Sequence, residues 1–276
     1  MARQDYFETD DGVKICYTVH RTGKKPMVLL HGWGGTQLAL NLLVEQIKGD
    51  YTIITYDHRG FGKSDRPTKG YTVDRLVLDL KEFLEHLDLH DVVLVGWSMG
   101  GVVSTFYLDT FGKERVSRLV LIDNNVQILS DEHYPYGFYD GTYTAKECME
   151  DLEKMHRDIR LFAQEMPEKG DMVLNKDPEL VRAYVDKVCA QNPDSVACTA
   201  MWVSVCMLSL EEPYKRLDLP VLFCHGERST YCGPKAVEYI KTLIKGAEFA
   251  EFPGCSHFIP IEKPDEIAAV IEAFAG

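Results

Sequence analysis

A chain of 276 residues with 45% hydrophobic and 26% charged residues has the composition of a folded globular protein, which excludes a disordered chain and a fibrous repeat. A formal net charge of −13 without any cluster of lysine and arginine excludes a nucleic-acid-binding face, because phosphate recognition needs positive charge. The expected partner is a small molecule, and the expected oligomeric state is a monomer or a homodimer.

Neither a membrane nor an oxidising compartment is indicated. The N-terminal stretch MARQDYFETDDG lacks the apolar segment of a signal peptide, so the expected location is cytoplasmic. Two uncharged runs, 92–108 and 195–210, lie at or below the lower limit for a membrane span and are interpreted as core. The eight cysteines lack metal-ligand spacing and are interpreted as reduced packing residues. The effect of Cys232 and Cys255, which lie in loops close to candidate site residues, stays open.

Strands and helices alternate along the first half of the chain. The stretch 7–20 predicts a hairpin that turns at Asp11 and Gly12. Further strands are predicted at 26–32, 51–57, 91–97 and 118–123. Helices are predicted at 38–47, 73–87 and 100–111. This alternation is typical of a parallel sheet covered by helices on both faces.

The rhythm stops after Asp123 and resumes near residue 217. Between them, the segment 124–216 shows helical periodicity and no convincing pattern of a buried strand. Its helices are predicted at 145–166, 178–190 and 193–210. Strands at 219–226 and 247–252 and helices at 234–244 and 264–274 follow. The predicted fold class is α/β, with a mostly parallel eight-stranded sheet in a core of residues 1–123 and 217–276, and an inserted helical cap at 124–216.

Ser98 is the candidate nucleophile. It lies in GWSMG, which matches G-x-S-x-G between a predicted strand and a predicted helix, the context in which this motif carries chemistry. A tight turn there exposes the hydroxyl above the sheet edge, with helix N–H groups behind it. The alternatives are a chance match and an ordinary N-cap serine.

His257 is the candidate base. It lies in the loop GCSHFIP between the last strand and the last helix, late in the chain as the order serine, acid, histidine requires. His31 and His225 each precede a glycine at a strand end. The other histidines have polar contexts that suit solvated faces: His20, His58, His86, His90, His133 and His156.

Two backbone N–H groups are expected to form an oxyanion hole. One belongs to Met99, which follows the candidate nucleophile, and the other to Trp33 in the glycine-rich turn HGWGG. A plain strand-to-helix turn is the alternative interpretation of HGWGG.

These motifs together resemble the α/β-hydrolase superfamily, and more closely its cofactor-free haloperoxidases and aryl esterases. The matching segments, in the family's order and spacing, are HGWGG, YDHRGFGKSD, LVGWSMGG, LVLID and GCSHF. The resemblance covers the predicted core, while the insert has only the size of the family's cap. It implies a serine hydrolase that needs no metal and no organic cofactor, and it does not specify the substrate.

The position of the acid departs from that resemblance. The family usually has an acid in the form H-G-x-x-D, whereas HGERS here has Ser229 at that position. Asp123, which ends LVLID, is the preferred acid because it lies at the same edge of the sheet, and the alternative is a capping role. Glu227 is the second candidate. Asp57 is interpreted as holding the turn after its strand together with Arg59.

The cap is expected to line an apolar substrate pocket. The loop HYPYGFYDGTY and the wholly apolar stretch VACTAMWVSVCMLSL supply the candidates, although packing is the simpler role for each residue alone. The candidate pocket residues are Tyr136, Phe138, Tyr139, Met201, Trp202 and Val205.

The sequence thus predicts hydrolysis of a small to medium apolar carboxylic ester through an acyl-enzyme on Ser98. Thioesterase, lactonase and perhydrolase or haloperoxidase activities use the same triad and stay open. Haloalkane dehalogenase and epoxide hydrolase activities are disfavoured, because those two families, which resemble this chain in fold, have an aspartate at the position of Ser98. A ligand-binding protein on the same fold is the alternative from another class, and Ser229 at the usual acid position is its support.

Overall fold

The computed structural model of the protein describes residues 2–172, 177–191 and 194–276. One sheet of eight strands runs in the order β1-β2-β4-β3-β5-β6-β7-β8. The strands are β1 (Arg3–Glu8), β2 (Lys14–Arg21), β3 (Lys25–Leu30), β4 (Tyr51–Tyr56), β5 (Val92–Trp97), β6 (Val116–Ile122), β7 (Val221–Gly226) and β8 (Glu248–Phe252). Antiparallel pairing joins β1 to β2 and β2 to β4, and the other pairs are parallel. The predicted fold class, a mostly parallel eight-stranded sheet, is confirmed.

The central strands are covered on both faces. Every residue of β5 and of β7 is buried, which explains why these strands are nearly continuous apolar runs rather than alternating ones. Successive side chains enter opposite layers: Leu94 packs in one apolar layer, and Val93 and Val95 pack in the other. The sheet is therefore the middle of a three-layer core.

In the described ranges, six α-helices belong to the core segments and six lie within the cap. They are α1 (Asn41–Gln46), α2 (Val73–His86), α3 (Met99–Phe111), α4 (Phe138–Gly141), α5 (Ala145–Arg157), α6 (Ile159–Lys169), α7 (Pro178–Gln191), α8 (Ser195–Cys206), α9 (Glu211–Arg216), α10 (Pro234–Leu243), α11 (Ile259–Glu262) and α12 (Pro264–Ala275). None of these helices combines the length and apolar character needed to cross a membrane.

The cap differs from the prediction at one long helix. The predicted helix 145–166 is two helices, because Asp158 has extended backbone (φ −164°, ψ 119°) and its side chain accepts a hydrogen bond from the N–H of Arg160, capping α6. Periodicity runs through this break because both helices turn an apolar face to the same core. The short helices α4, α9 and α11 were not predicted. The start of the predicted helix 193–210 lies outside the described residues.

Helix α8 rests directly on the core. The indole N–H of Trp33 donates to the carbonyl of Cys198 (2.9 Å), and the backbone N–H of Val73 donates to the hydroxyl of Ser204 (2.9 Å). An isolated antiparallel bridge between Gln127 and Ser209 joins the two ends of the insert. The cap is thereby held over the carboxyl edge of the parallel strands, where α/β sheets bind ligands.

Candidate active site

Ser98 is the single residue between the end of β5 and the start of α3. Its backbone has φ 54° and ψ −124°, a conformation that a residue with a side chain adopts only where its surroundings impose it. The Ser98 hydroxyl does not cap α3. The side-chain amide of Asn124 donates to the carbonyl of Ser98 (2.5 Å), so the following strand end helps to hold the turn.

Glycines make this turn possible. A Cβ on Gly96 would lie 2.5 Å from the Cα of Gly101, and a Cβ on Gly100 would lie 2.4 Å from the carbonyl oxygen of Leu30. Both distances are well inside van der Waals contact with backbone, which cannot move aside cheaply. The two flanking glycines of the motif therefore allow α3 to start directly against β3 and β5.

Asp123 and His257 form a buried pair. Asp123 follows β6 with φ 53°, and its carboxylate Oδ2 lies 2.6 Å from Nδ1 of His257. Both residues are at most 5% exposed. The ring of Tyr231 stacks on the imidazole with 4.4 Å between the centroids, and the indole N–H of Trp97 donates to the carbonyl of His257. His257 is thus held at three places: its ring nitrogen Nδ1, the face of its ring and its backbone carbonyl.

The second candidate acid lies elsewhere. Glu227 is exposed, and its carboxylate accepts the backbone N–H of Gly254 (2.7 Å). Ser229, at the position where the acid was first expected, is buried and donates its hydroxyl hydrogen bond to Oδ2 of Asp123 (2.6 Å). Of the two candidate acids, Asp123 is the one that contacts the imidazole.

Asp57 and Arg59 act separately, which corrects their predicted pairing. The Asp57 carboxylate accepts the backbone N–H of Gln37 and of Lys63, so it does hold the turn after β4. Arg59 instead binds the carboxylates of Asp11 and Asp79.

The turn that contains Trp33 passes directly over Ser98. A Cβ on Gly32 would lie 3.0 Å from the Cβ of Ser98, which shows how closely the two turns approach. Met99 is the first residue of α3, where backbone N–H groups have no partner within the helix. Trp33 and Met99 both line the same cavity as Ser98.

This cavity has a volume of about 160 Å³ and lies between the sheet edge and the cap. The candidate triad lines it at one side, since Ser98, Asp123 and His257 all contribute. Its other lining is mainly apolar and aromatic and includes Trp33, Trp97, Met99, Val102, Ile128, Phe138, Met166, Tyr184, Trp202, Val205, Tyr231, Phe258 and Ile261. No lysine or arginine is among the described lining residues.

Three of the six candidate pocket residues line the cavity: Phe138, Trp202 and Val205. The other three are not among its lining residues. Met201 is fully buried, Tyr139 packs against Tyr231 and Tyr143, and Tyr136 packs against Tyr134 and Tyr239.

Sequence analysis missed several lining residues. Phe258 directly follows the candidate base, and Tyr231 lies two residues after Ser229, the family's usual acid position. Proximity to these motifs could have indicated both residues. Met166 lies near the end of α6 and Tyr184 in the middle of α7, and no local signal in the sequence distinguishes them from packing residues.

His58 was predicted on a solvated face, and this is wrong. His31 and His58 are both fully buried behind the turn that carries Trp33. Nδ1 of His31 donates to the carbonyl of Gly32 (2.8 Å), while Nε2 accepts the backbone N–H of His58 (3.1 Å). Burial lowers the pKa of both imidazoles, so they are neutral groups that brace the turn.

The two cysteines near the site are buried thiols. Burial raises the pKa of Cys255 to about 11 and that of Cys232 well above its usual value, so neither is a thiolate at neutral pH. In the described ranges, no three His, Cys, Asp or Glu side chains converge as a metal site would require.

Comparisons with known proteins agree with this architecture. Residues 25–264 match the model of a family described as having the alpha/beta hydrolase fold. A putative non-heme chloroperoxidase from Synechocystis is 27% identical over 91% of both chains, and a bifunctional esterase/perhydrolase from Acinetobacter calcoaceticus is 24% identical over 98% of both. The solved structure of an esterase from Exiguobacterium antarcticum superposes with a TM-score of 0.88 at 23% identity, covering 99% of each chain. With 240 of its residues inside the family match, this chain belongs to the α/β-hydrolase family.

Proposed function

We propose that the protein is a serine hydrolase that cleaves small to medium apolar carboxylic esters through an acyl-enzyme on Ser98. The observation that carries this proposal is the buried hydrogen bond between Asp123 and His257 beside Ser98, all three lining one cavity. A serine, an imidazole and a carboxylate in one concave site are the three roles that acyl transfer needs.

In the proposed reaction, the Ser98 oxygen attacks the ester carbonyl and His257 takes the hydroxyl proton. Asp123 engages Nδ1, so Nε2 is the nitrogen available for this transfer. The imidazolium then returns the proton to the departing alcohol as the carbon–oxygen bond breaks. Water repeats the sequence on the acyl-enzyme and releases the carboxylic acid and Ser98. No hydrogen bond between Ser98 and His257 is present among the described residues, and contacts of this kind commonly tighten only when substrate is bound.

The developing oxyanion would be held by the backbone N–H groups of Trp33 and Met99. Their support is positional, since the first comes from the turn packed over Ser98 and the second from the N-terminus of α3. Fixed N–H donors stabilise charge that appears only in the transition state and so accelerate the chemical step.

The cavity supports a neutral, apolar substrate. Its volume of about 160 Å³ is similar to that of an engineered apolar cavity of about 150 Å³ that binds benzene, so one aromatic ring or a short acyl chain would fill it. A substrate that carries a free carboxylate would find no cation among the described lining residues, and burying an unpaired charge is costly.

The test is labelling with a fluorophosphonate, which modifies an activated serine whatever the substrate. We expect one adduct on the intact protein and none on Ser98→Ala, measured by mass spectrometry. A panel of p-nitrophenyl esters then measures turnover, with the acetate, butyrate and benzoate expected to exceed the succinate monoester. Turnover that survives Ser98→Ala would contradict the mechanism.

Perhydrolysis is a second candidate, supported by the activity named for the Acinetobacter relative. Hydrogen peroxide would replace water at the same acyl-enzyme and release a peracid with Ser98 restored. Peracid formation by the wild type and its loss in Ser98→Ala would establish this activity beside ester hydrolysis. The ligand-binding alternative loses its main support, because an acid does contact His257 although position 229 is a serine.

A further inference from the structure

The segment that follows β7 contacts both the acid and the base of the proposed triad. Ser229, which is 2% exposed, donates its hydroxyl to Oδ2 of Asp123 at 2.6 Å. Tyr231, two residues later, stacks its ring on that of His257 with an interplanar angle of 26°. One short segment therefore holds two side chains that come from different strand ends.

The direction of the Ser229 hydrogen bond is determined by its neighbours. Its oxygen accepts the backbone N–H groups of Tyr231 (3.3 Å) and Cys232 (3.2 Å). The backbone N–H of Ser229 itself donates to the carbonyl of Gly226 (3.0 Å), which fixes the position of the side chain. With both lone pairs engaged, the single hydroxyl proton is left for the carboxylate.

Oδ2 of Asp123 is thus shared between two donors at equal distance, the hydroxyl of Ser229 and Nδ1 of His257, both at 2.6 Å. The other oxygen, Oδ1, accepts a longer bond from the N–H of Gly226 (3.3 Å). A hydroxyl bound to the oxygen that faces the imidazole fixes the carboxylate rotamer and takes up part of its negative charge.

We propose that Ser229 is a positioning residue of the triad, whose hydroxyl orients Asp123 toward His257 and sets how strongly the carboxylate stabilises the imidazolium. This inference rests on the proposed function, because it assigns a role within the same acyl-transfer site. Without the hydroxyl, Oδ2 keeps its full acceptor strength for the imidazolium but is free to leave the reactive orientation.

The test compares Ser229→Ala with Ser64→Ala. Ser64 is a matched control, since it is equally buried, donates to the carbonyl of Asp57 (2.6 Å) and accepts the backbone N–H of Cys16 (2.9 Å) away from the cavity. We expect Ser229→Ala to lower kcat about tenfold with KM nearly unchanged, as when a transition-state interaction is lost. The acid limb of its kcat/KM profile should also move, because the hydroxyl no longer fixes the carboxylate that stabilises the imidazolium. Ser64→Ala should leave both the rate and the profile unchanged.

A second readout does not depend on turnover. The proton between Nδ1 of His257 and Asp123 should give a far-downfield proton NMR signal at low pH, assigned by its loss in Asp123→Asn. We expect this signal to shift in Ser229→Ala and to stay in place in Ser64→Ala.

The outcomes separate the two proposals. Unchanged kcat, pH profile and downfield signal in Ser229→Ala, beside an active wild type, would overturn the positioning role and leave the hydrolase intact. A wild type that neither turns over esters nor reacts with the fluorophosphonate would contradict the proposed function, and the downfield signal would still decide the role of Ser229.

Discussion

The two walls of the cavity are built in different ways. The core wall includes Gly32, Trp33, Ser98, Met99, Asp123 and His257, and the cap wall includes Phe138, Met166, Tyr184, Trp202 and Val205. Core-wall residues follow the ends of strands, where the hydrogen bonds of the sheet fix the backbone. Two of these residues, Ser98 and Asp123, have positive φ. Cap-wall residues project from helices and are held by side-chain packing, such as that of Trp202 on Phe162 and Trp33.

This difference suggests a division of labour. A backbone fixed by a sheet keeps reacting groups within the small tolerances that catalysis requires. Apolar side chains on helices can change size without moving that backbone, so they suit substrate selection. We therefore expect substitutions in the core wall to act on kcat and substitutions in the cap wall to act on the choice of substrate.

The largest effect is expected from Asp123→Asn in the core wall. Loss of the carboxylate should lower kcat about 10⁴-fold, the effect typical of converting a triad acid to its amide. Steady-state hydrolysis of a p-nitrophenyl ester measures it. Glu227→Gln is the control and should be nearly silent, because that side chain contacts Gly254. Equal losses in both variants would show that Asp123 is not the acid.

The next largest effect concerns buried charges away from the cavity, between the loop after β4 and helix α2. Arg59 is fully buried and pairs with Asp79, which is buried, and with Asp11. Arg59→Met should lower the free energy of unfolding by about 3 kcal/mol, the lower end of the cost of breaking a buried ion pair, because Asp79 loses two charged hydrogen bonds and keeps Arg75 as a partner. Denaturation in urea measures this loss, and Lys81→Met on the exposed side of α2 is the control.

The ion pair between Arg59 and Asp11 also predicts that the stability of the fold depends on pH in the acid range. Hydrogen bonds from Arg59 hold the pKa of Asp11 below its usual range. A lowered carboxylate pKa contributes stability that is present above the unfolded pKa of about 3.9 and is lost as the pH falls below it. The difference between wild type and Arg59→Met should therefore shrink on going from pH 7 to pH 3. A difference independent of pH would show that the charge of the Asp11 carboxylate does not contribute to it.

A smaller effect is expected in the cap wall from Val205→Phe. The larger ring should occupy part of the cavity and shift the ratio of kcat/KM between acetate and benzoate esters roughly 10- to 200-fold toward acetate. Val203→Phe lies on the same helix with a side chain that is 40% exposed, and it should leave the ratio unchanged. A shift in kcat alone, equal for both esters, would contradict the division between the walls.

The smallest effect is expected from thiol modification. The pKa of Cys255 is raised to about 11 by burial, so iodoacetamide at pH 7.5 should leave ester hydrolysis unchanged. Loss of activity in the wild type and its retention in Cys255→Ala would show that this thiol is reactive and touches the site.

How much the sequence could predict also differs between the walls. GWSMG, HGWGG and GCSHF locate Ser98, Met99, Trp33 and His257, because each motif joins a strand to a loop in a way that only small residues permit. Short apolar runs that take turns with helical periodicity predict the sheet and most helix bounds within a few residues. The split of the predicted helix 145–166 escaped, since Asp158 interrupts the backbone without interrupting the apolar period.

The sequence by itself determined the fold class and the family and predicted the chemical character of the site, because these depend on local patterns: strand period, turn glycines and residue types at strand ends. Only the tertiary structure decided which carboxylate meets His257, that Ser229 joins it, and which aromatic residues face the cavity. Those facts depend on distances between segments far apart in the chain, such as the 2.6 Å contact of Asp123 with His257, and no local pattern encodes them.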